Sequence, residues 1–171
     1  MKKAFLFLLL TFMVISVYPS KAQDSTRISA NDFSSVCGTW YGKLTYLDYK
    51  SGKPYSMQAN ISIMRISKTN QFIFSNSYPN EPKANSMDTV SISADGKMID
   101  QEIILSRSMR ADGNTEVITE LEGTDGHDNR PATIRHTYII GMNDFIMRKE
   151  VKFKDSKDWI LRHEYIYQRE L

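Results

Sequence analysis

Two histidines, one lysine and several tyrosines form the group of residues best suited to chemistry. His136 lies in a stretch that alternates polar and apolar residues, and Lys149 and His163 lie in the two stretches that follow. Counting every second residue places each of them on a face with tyrosine or other apolar residues. Polar groups inside an apolar wall must be hydrogen-bonded or hydrated, so this set could meet the polar or acidic group of a ligand. The candidate ligand-binding residues are Tyr46, His136, Tyr138, Lys149, His163 and Tyr165.

The same side chains could also be satisfied without a ligand. They could bond to one another or to water, or a one-residue bulge could turn them outward. Two histidines could also bind a metal ion. No third ligand stands at a suitable spacing. We therefore expect no metal and no cofactor.

Catalytic motifs are absent from the sequence. It contains no Gly-x-Ser-x-Gly, no His-Glu-x-x-His, no phosphate-binding loop and no Cys-x-x-Cys. We predict that the protein is not an enzyme. The remaining enzymatic alternative is a histidine, His136 or His163, at the mouth of the fold.

The elements that must position these residues are β-strands. Apolar residues recur at every second position from Gly38 onward, and turn residues interrupt them about every ten residues. In the last stretch the odd-numbered residues, from Trp159 to Arg169, carry more aromatic surface and are expected to face inward. The stretch from Pro79 to Asp88 has no pattern and predicts an exposed loop. The nine predicted strands span 38–49, 55–66, 72–78, 89–94, 97–107, 115–123, 132–141, 144–154 and 159–169.

This pattern predicts an all-β fold, a single antiparallel up-and-down β-barrel of about eight strands. Two of the nine predicted strands would then merge or lie outside the barrel, and all connections would be short. A barrel of that size can hold one small ligand. The alternative is a seven-stranded immunoglobulin-like sandwich, which the missing Cys…Trp…Cys pattern disfavours.

The two ends of the predicted barrel resemble those of lipocalins. Its first strand opens with Gly38-Thr39-Trp40, and the chain ends with Tyr165-Ile-Tyr-Gln-Arg169. The opening is also loosely similar to avidin-type barrels. The resemblance implies that Arg169 packs on Trp40 and, with Gly38, closes one end, because a guanidinium stacks well on an indole face. The short turn at 50–54 departs from lipocalins, so the resemblance implies no particular ligand.

The first 22 residues are predicted to be a signal peptide. Lys2 and Lys3 precede an apolar run from Ala4 to Val17, and Ser20-Lys21-Ala22 has the form of a cleavage site. The alternative is a membrane anchor, but the run is shorter than the ~20 residues that a spanning helix needs. We expect a bacterial protein that is periplasmic or secreted, with no membrane span after cleavage.

The charge of the mature chain argues against nucleic acid as a partner. Removing Lys2, Lys3 and Lys21 from 22 basic residues leaves 19, against 20 acidic residues, for a net charge of −1. No basic block is present. Cys37 is a lone cysteine, expected to be a buried thiol or, alternatively, to form an intermolecular disulfide.

Together these features predict residues 1–22 as the signal peptide, 23–37 as a lead-in with a helical turn capped by Asp32, and 38–171 as the barrel. The expected function is binding or carrying a small hydrophobic or amphipathic molecule. The alternative is a structural or protein-interaction barrel without a ligand, acting through its outer face or the loop from Pro79 to Asp88. The sequence names no protein partner.

Overall fold

A computed structural model describes residues 26–169. The predicted signal peptide, 1–22, lies outside the described residues. Residues 26–169 form one short α-helix, one turn of 3-10 helix and ten β-strands. In chain order these are α1 (Ala30–Ser34), β1 (Gly38–Leu47), β2 (Pro54–Arg65), β3 (Gln71–Ser77), the 3-10 turn (Pro82–Ala84), β4 (Ser86–Ser91), β5 (Met98–Ile99), β6 (Glu102–Met109), β7 (Thr115–Asp125), β8 (Arg130–Ile140), β9 (Asp144–Phe153) and β10 (Ile160–Gln168).

All ten strands belong to one antiparallel up-and-down sheet. Its spatial order is β4-β3-β2-β1-β10-β9-β8-β7-β6-β5. The two outermost strands approach each other through an isolated bridge between Ile92 and Ile99, so the sheet is nearly closed into a barrel. The predicted all-β barrel is confirmed, with ten strands rather than eight.

The strands differ from the nine predicted at two places, and the second of these adds one strand. The predicted loop from Pro79 to Asp88 instead contains the 3-10 turn and the start of β4. The predicted strand 97–107 is broken into β5 and β6 by Asp100, whose φ of 52° lies in the left-handed region and reverses the chain. Both features depend on backbone conformation, which the alternation of apolar and polar residues does not reveal.

One end of the barrel, which we call the closed end, is plugged by the segment that precedes β1. Phe33 of α1 and Val36 are fully buried there, and Trp40 of β1 packs above them with its indole Nε1 donating to the Val36 carbonyl at 2.7 Å. Phe33 contacts the rings of Phe72 and Tyr138. Apolar burial of this kind is the main stabilising contribution to a domain of this size.

Three arginines from different strands hold the plug in place. Arg107 of β6 donates to Asp32 at 2.6 Å, and Arg65 of β2 donates to the Ser34 hydroxyl. Arg169, just after β10, donates to the carbonyls of Ser35 and Cys37. The helix itself begins at Ser29, whose hydroxyl and backbone exchange hydrogen bonds with Asp32 in a capping box. Asp32 is therefore the third residue of the helix and not, as predicted, its cap.

The other end of the barrel, which we call the open end, carries the turns 48–53, 78–85, 100–101, 126–129 and 154–159. Strand faces there follow the predicted alternation except at the start of β10. A bulge between Leu161 and His163 shifts the register, so Ile160 rather than Leu161 lies opposite the buried Val151. The prediction that Trp159 and Leu161 face inward is therefore wrong. Trp159 lies outside, with Arg135 stacked on its ring at 3.9 Å.

Candidate functional site

A row of polar side chains crosses the inner wall near the open end. Strand pairing places His136 opposite Lys149, Lys149 opposite His163, and His163 opposite Tyr46. On the other side His136 pairs with the buried Thr119 of β7. We call these five residues of β7, β8, β9, β10 and β1 the inner row. Four of them are sequence candidates, and the register brings those four together on four adjacent strands.

A second row lies one step deeper towards the closed end. It runs from Val117 through Tyr138, Met147 and Tyr165 to Leu44. The hydroxyls of Tyr165 and Tyr78 lie 2.8 Å apart and share a hydrogen bond. Burial raises the pKa of both Tyr138 and Tyr165, so these hydroxyls stay protonated at neutral pH. The deeper row therefore offers aromatic surface with neutral hydroxyls.

Asp125, at the end of β7, holds two cations at the open end. Lys149 Nζ donates to its Oδ1 at 3.1 Å, and Arg162 Nε donates to its Oδ2 at 2.7 Å. Only 4% of the Asp125 side chain is exposed. Burial raises its pKa, but the hydrogen bond and charge of Lys149 and the charge of Arg162 outweigh burial and bring the pKa below its usual value. The carboxylate is ionised at neutral pH.

The turn between β1 and β2 reaches over this ion cluster. The Tyr49 hydroxyl donates to the Asp125 carboxylate at 3.2 Å, and the Arg162 guanidinium lies 4.6 Å from the Tyr49 ring centre. The His127 ring packs on Tyr49 from the turn 126–129. Tyr49 therefore covers one side of the open end and connects two turns across it.

Glu102 at the start of β6 holds the other end of the inner row. Its Oε1 lies 2.7 Å from His136 Nδ1, and its Oε2 accepts a hydrogen bond from the Thr119 hydroxyl. Nδ1 lies within ion-pair distance of this carboxylate, but the two atoms do not have the geometry of a hydrogen bond. About a quarter of the His136 side chain, 24%, is exposed to solvent.

His163, like Tyr46, is a member of the inner row that finds no hydrogen-bond partner among residues 26–169. Within residues 26–169 it makes ring contacts with His136 and Tyr165, but its nitrogens have no hydrogen-bond partner. Burial, together with the charges of His136 and Lys149, lowers its pKa to about 4. His163 is therefore neutral at pH 7 and can donate one hydrogen bond and accept another.

Tyr167, below the two rows, also has an unsatisfied polar atom. Its side chain is fully buried and stacked between Tyr165 and Phe145, and its hydroxyl has no partner among the described residues. Buried hydroxyls normally find a partner in protein or ordered water. The Tyr167 hydroxyl can therefore still form a hydrogen bond beside the second row.

Four important residues of the site are missing from the sequence prediction, namely Glu102, Thr119, Asp125 and Arg162. Residue patterns assign Asp125 to a loop because an inward carboxylate breaks the apolar alternation that marks a strand. Arg162 sits on the even face and turns inward only because of the bulge before His163.

At the closed end, the Arg169 guanidinium lies 4.5 Å from the Trp40 ring centre. Gly38 has a φ of 125°, which favours glycine, whereas the close backbone approach occurs at Gly42. A Cβ atom on Gly42 would lie 2.0 Å from the Ile166 carbonyl oxygen of β10. These residues are far along β1 and β10 from the inner row and are structural.

Surface grooves are also present away from the inner row. Two surface grooves of about 520 and 490 Å³ lie beside α1, outside the barrel, and both include Asp32. Asp32 is already bonded to Arg107 there. Within residues 26–169, no group of three or more His, Cys, Asp or Glu side chains is arranged to hold a metal ion. No helix in that same part of the chain has the length and apolar character needed to cross a membrane.

Known proteins resemble this chain in structure rather than in sequence. No protein-family model and no curated protein matches the chain. Among solved structures, it is similar to the S-type phycobiliprotein lyase CPES from Guillardia theta, with a TM-score of 0.47 and 10% identity. The match covers 85% of this chain and 95% of that chain.

That comparison corrects one prediction. The absence of catalytic motifs predicts a protein that is not an enzyme, whereas the protein of similar structure is named as a lyase. The prediction is contradicted and is not retained. The likeness itself assigns no reaction to this chain, since it is weak in both sequence and structure.

Proposed function

We propose that this protein is an exported barrel that binds or carries one small, largely apolar molecule. The molecule enters at the open end, rests on the aromatic second row and places a polar group beside the inner row. The observation that supports this most directly is His163, a neutral, mostly buried histidine whose nitrogens have no partner within residues 26–169. A ligand hydroxyl or carbonyl would supply that partner.

The contrast between the two ends supports the same proposal. At the closed end Phe33, Trp40 and Phe145 are fully buried and fill the barrel. At the open end Tyr46, Tyr138 and Tyr165 face inward but are only partly buried. Apolar wall with a few convergent polar groups is the usual composition of a small-molecule site.

The proposal can be tested on protein purified from its own host. We expect native mass spectrometry to show an added mass that disappears on denaturation. A native mass equal to the polypeptide alone, in material purified without detergent or organic solvent, would contradict the carrier function.

The role of His163 is tested by His163→Leu, which keeps apolar bulk and removes both ring nitrogens. We expect the ligand-bound fraction in native spectra to fall at least fivefold, because the ligand's polar group would be buried without a partner. Gln58→Leu is the matched control, since Gln58 is exposed on the outer face of β2. Equal bound fractions in the two variants would remove His163 from the site.

A protein-interaction barrel is the second candidate, favoured by the free edge of the sheet. Within residues 26–169, no strand pairs with the second edge of β4 between Ser86 and Val90. Met87 on this strand is 71% exposed. Unpaired edges can accept a strand from another chain. A bare native mass together with a specific co-purifying protein would favour this function.

A further inference from the structure

We infer that the open end selects a ligand with an uncharged polar group, a hydroxyl or a carbonyl, over one with a carboxylate. This inference rests on the proposed function and deepens it. It also changes the expectation from the sequence, which allows an acidic group to be met by His136, Lys149 and His163. The reason is that the charged side chains in and beside the inner row already have partners within the protein.

The cations at the open end are already occupied. Lys149 and Arg162 both donate to Asp125, which is buried beside them. A ligand carboxylate would have to displace Asp125 from these cations or share them with it. Two carboxylates that share one buried site repel each other, so neither outcome favours an acid.

The opposite side of the inner row is acidic. Glu102 lies against His136 and Thr119, with 15% of its side chain exposed. A carboxylate placed near His136 Nε2 would therefore lie close to the Glu102 charge. Burial raises the pKa of Tyr165, and the hydrogen bond to Tyr78 and then the charge of Asp88 raise it further. Burial also raises the pKa of Tyr46, followed by the charge of Glu81. Further negative charge thus faces the tyrosines from β4 and the turn 78–85.

The formal charges around the inner row balance. The carboxylates of Glu102 and Asp125 equal in number the cations of Lys149 and Arg162. His163 adds no charge at pH 7, because its pKa is lowered to about 4. A charged ligand would be the one uncompensated charge in a partly desolvated site, which is costly. A hydroxyl or carbonyl can bond to His163 without that cost.

The experiment compares two probes of equal chain length, 1-decanol and decanoate, at pH 8, above the ordinary pKa of histidine. Each probe displaces the neutral fluorophore N-phenyl-1-naphthylamine from the full mature protein. Any apolar cavity favours the alcohol to some degree, so the informative quantity is how inner-row variants change the ratio of the two affinities.

Glu102→Gln removes one unit of negative charge beside the inner row at nearly constant shape. We expect it to improve decanoate binding relative to decanol at least fivefold. Glu122→Gln makes the same change in net charge on the outer face of β7, where the Glu122 side chain is 62% exposed. We expect this control to leave the ratio of decanoate to decanol affinity unchanged within twofold. Lys149→Gln is expected to weaken decanoate binding relative to decanol binding at least fivefold.

The outcomes separate the two claims. Tighter binding of decanoate than decanol by the wild-type protein, or equal ratios in Glu102→Gln and Glu122→Gln, overturns the inference and leaves ligand binding intact. Failure of both the fluorophore and the probes to bind the folded protein overturns the proposed function and the inference with it. Circular dichroism establishes folding, and if Glu102→Gln fails to fold, Lys149→Gln gives the same test with opposite sign.

Discussion

Asp125 is the side chain on which the charge arrangement of the open end depends. It accepts hydrogen bonds from Lys149, Arg162 and Tyr49, which come from β9, β10 and the turn after β1. Removing one partner of a buried ion cluster leaves the others buried without compensation. One carboxylate therefore stabilises contacts among three elements that are distant in the sequence.

Asp125→Asn is expected to lower the free energy of unfolding by about 3 kcal/mol at pH 7, as for other broken buried pairs. The pKa of Asp125 is lowered in the folded protein, so its contribution is fully present above the unfolded pKa of about 3.9 and is lost as pH falls through the folded pKa. The difference between wild type and variant should therefore shrink below about pH 4. Urea denaturation across this pH range measures it.

Asp128→Asn is the control for that prediction. Asp128 lies in the turn that follows β7, and 65% of its side chain is exposed. Exposed substitutions of this kind change stability by no more than about 0.5 kcal/mol. If both substitutions changed the free energy of unfolding equally at pH 7, the buried contacts of Asp125 would contribute nothing to stability.

At the scale of elements, α1 is too short to be stable by itself. A helix of five residues lies well below the length at which isolated helices form in water. Its conformation depends on the capping box, on the burial of Phe33 and on Arg65 and Arg107, which bond to it from β2 and β6. The helix is therefore part of the barrel core, although the sequence pattern assigns it to a lead-in separate from the barrel.

Phe33→Ala tests this dependence. We expect a loss of about 3–5 kcal/mol in the free energy of unfolding, since the change removes a fully buried ring and leaves a cavity at the closed end. Chemical denaturation measures the loss. Met142→Ala serves as control because Met142 is 82% exposed. A loss at Phe33 no larger than at Met142 would mean that α1 does not contribute to the core.

The elements also show where sequence patterns are sufficient and where they fail. Alternation places Met57, Ala59, Ile61 and Ile63 on one face of β2, and all four are buried. It fails in β10, because a one-residue bulge reverses the face of every residue on one side of it. Nothing in the residue types at 159–163 marks the bulge, which arises from pairing with β9.

At the scale of the whole molecule, net charge and mass test the predicted cleavage after residue 22. Removal of 1–22 would change the formal net charge from +2 to −1 and lower the isoelectric point from the value of about 8.6 that the full chain has. We expect protein isolated from its own host to focus below pH 7.5 and to have the mass of residues 23–171. A product of full-chain mass would contradict cleavage at this position.

The general architecture is accessible from the sequence, whereas the ion network is not. Short turns between alternating stretches predict an up-and-down sheet almost without reference to tertiary contacts. The pairing of Glu102 with His136, and of Arg162 with Asp125, instead depends on which strands meet when the sheet curls, over separations of 34 and 37 residues. Contacts between residues so far apart produce no periodic pattern in the sequence.

The position of β1 within the sheet has a consequence for how the chain is made. β1 lies between β2 and β10, and Tyr41 pairs with Gln168, so the first long strand obtains its second neighbour only when the last strand exists. Contacts of such long range are slow to form. During synthesis the growing chain keeps β1 unpaired on one side until the residues of β10, Ile160–Gln168, have been added. A ribosome that stalls before β10 would therefore release a chain with an open edge prone to aggregation.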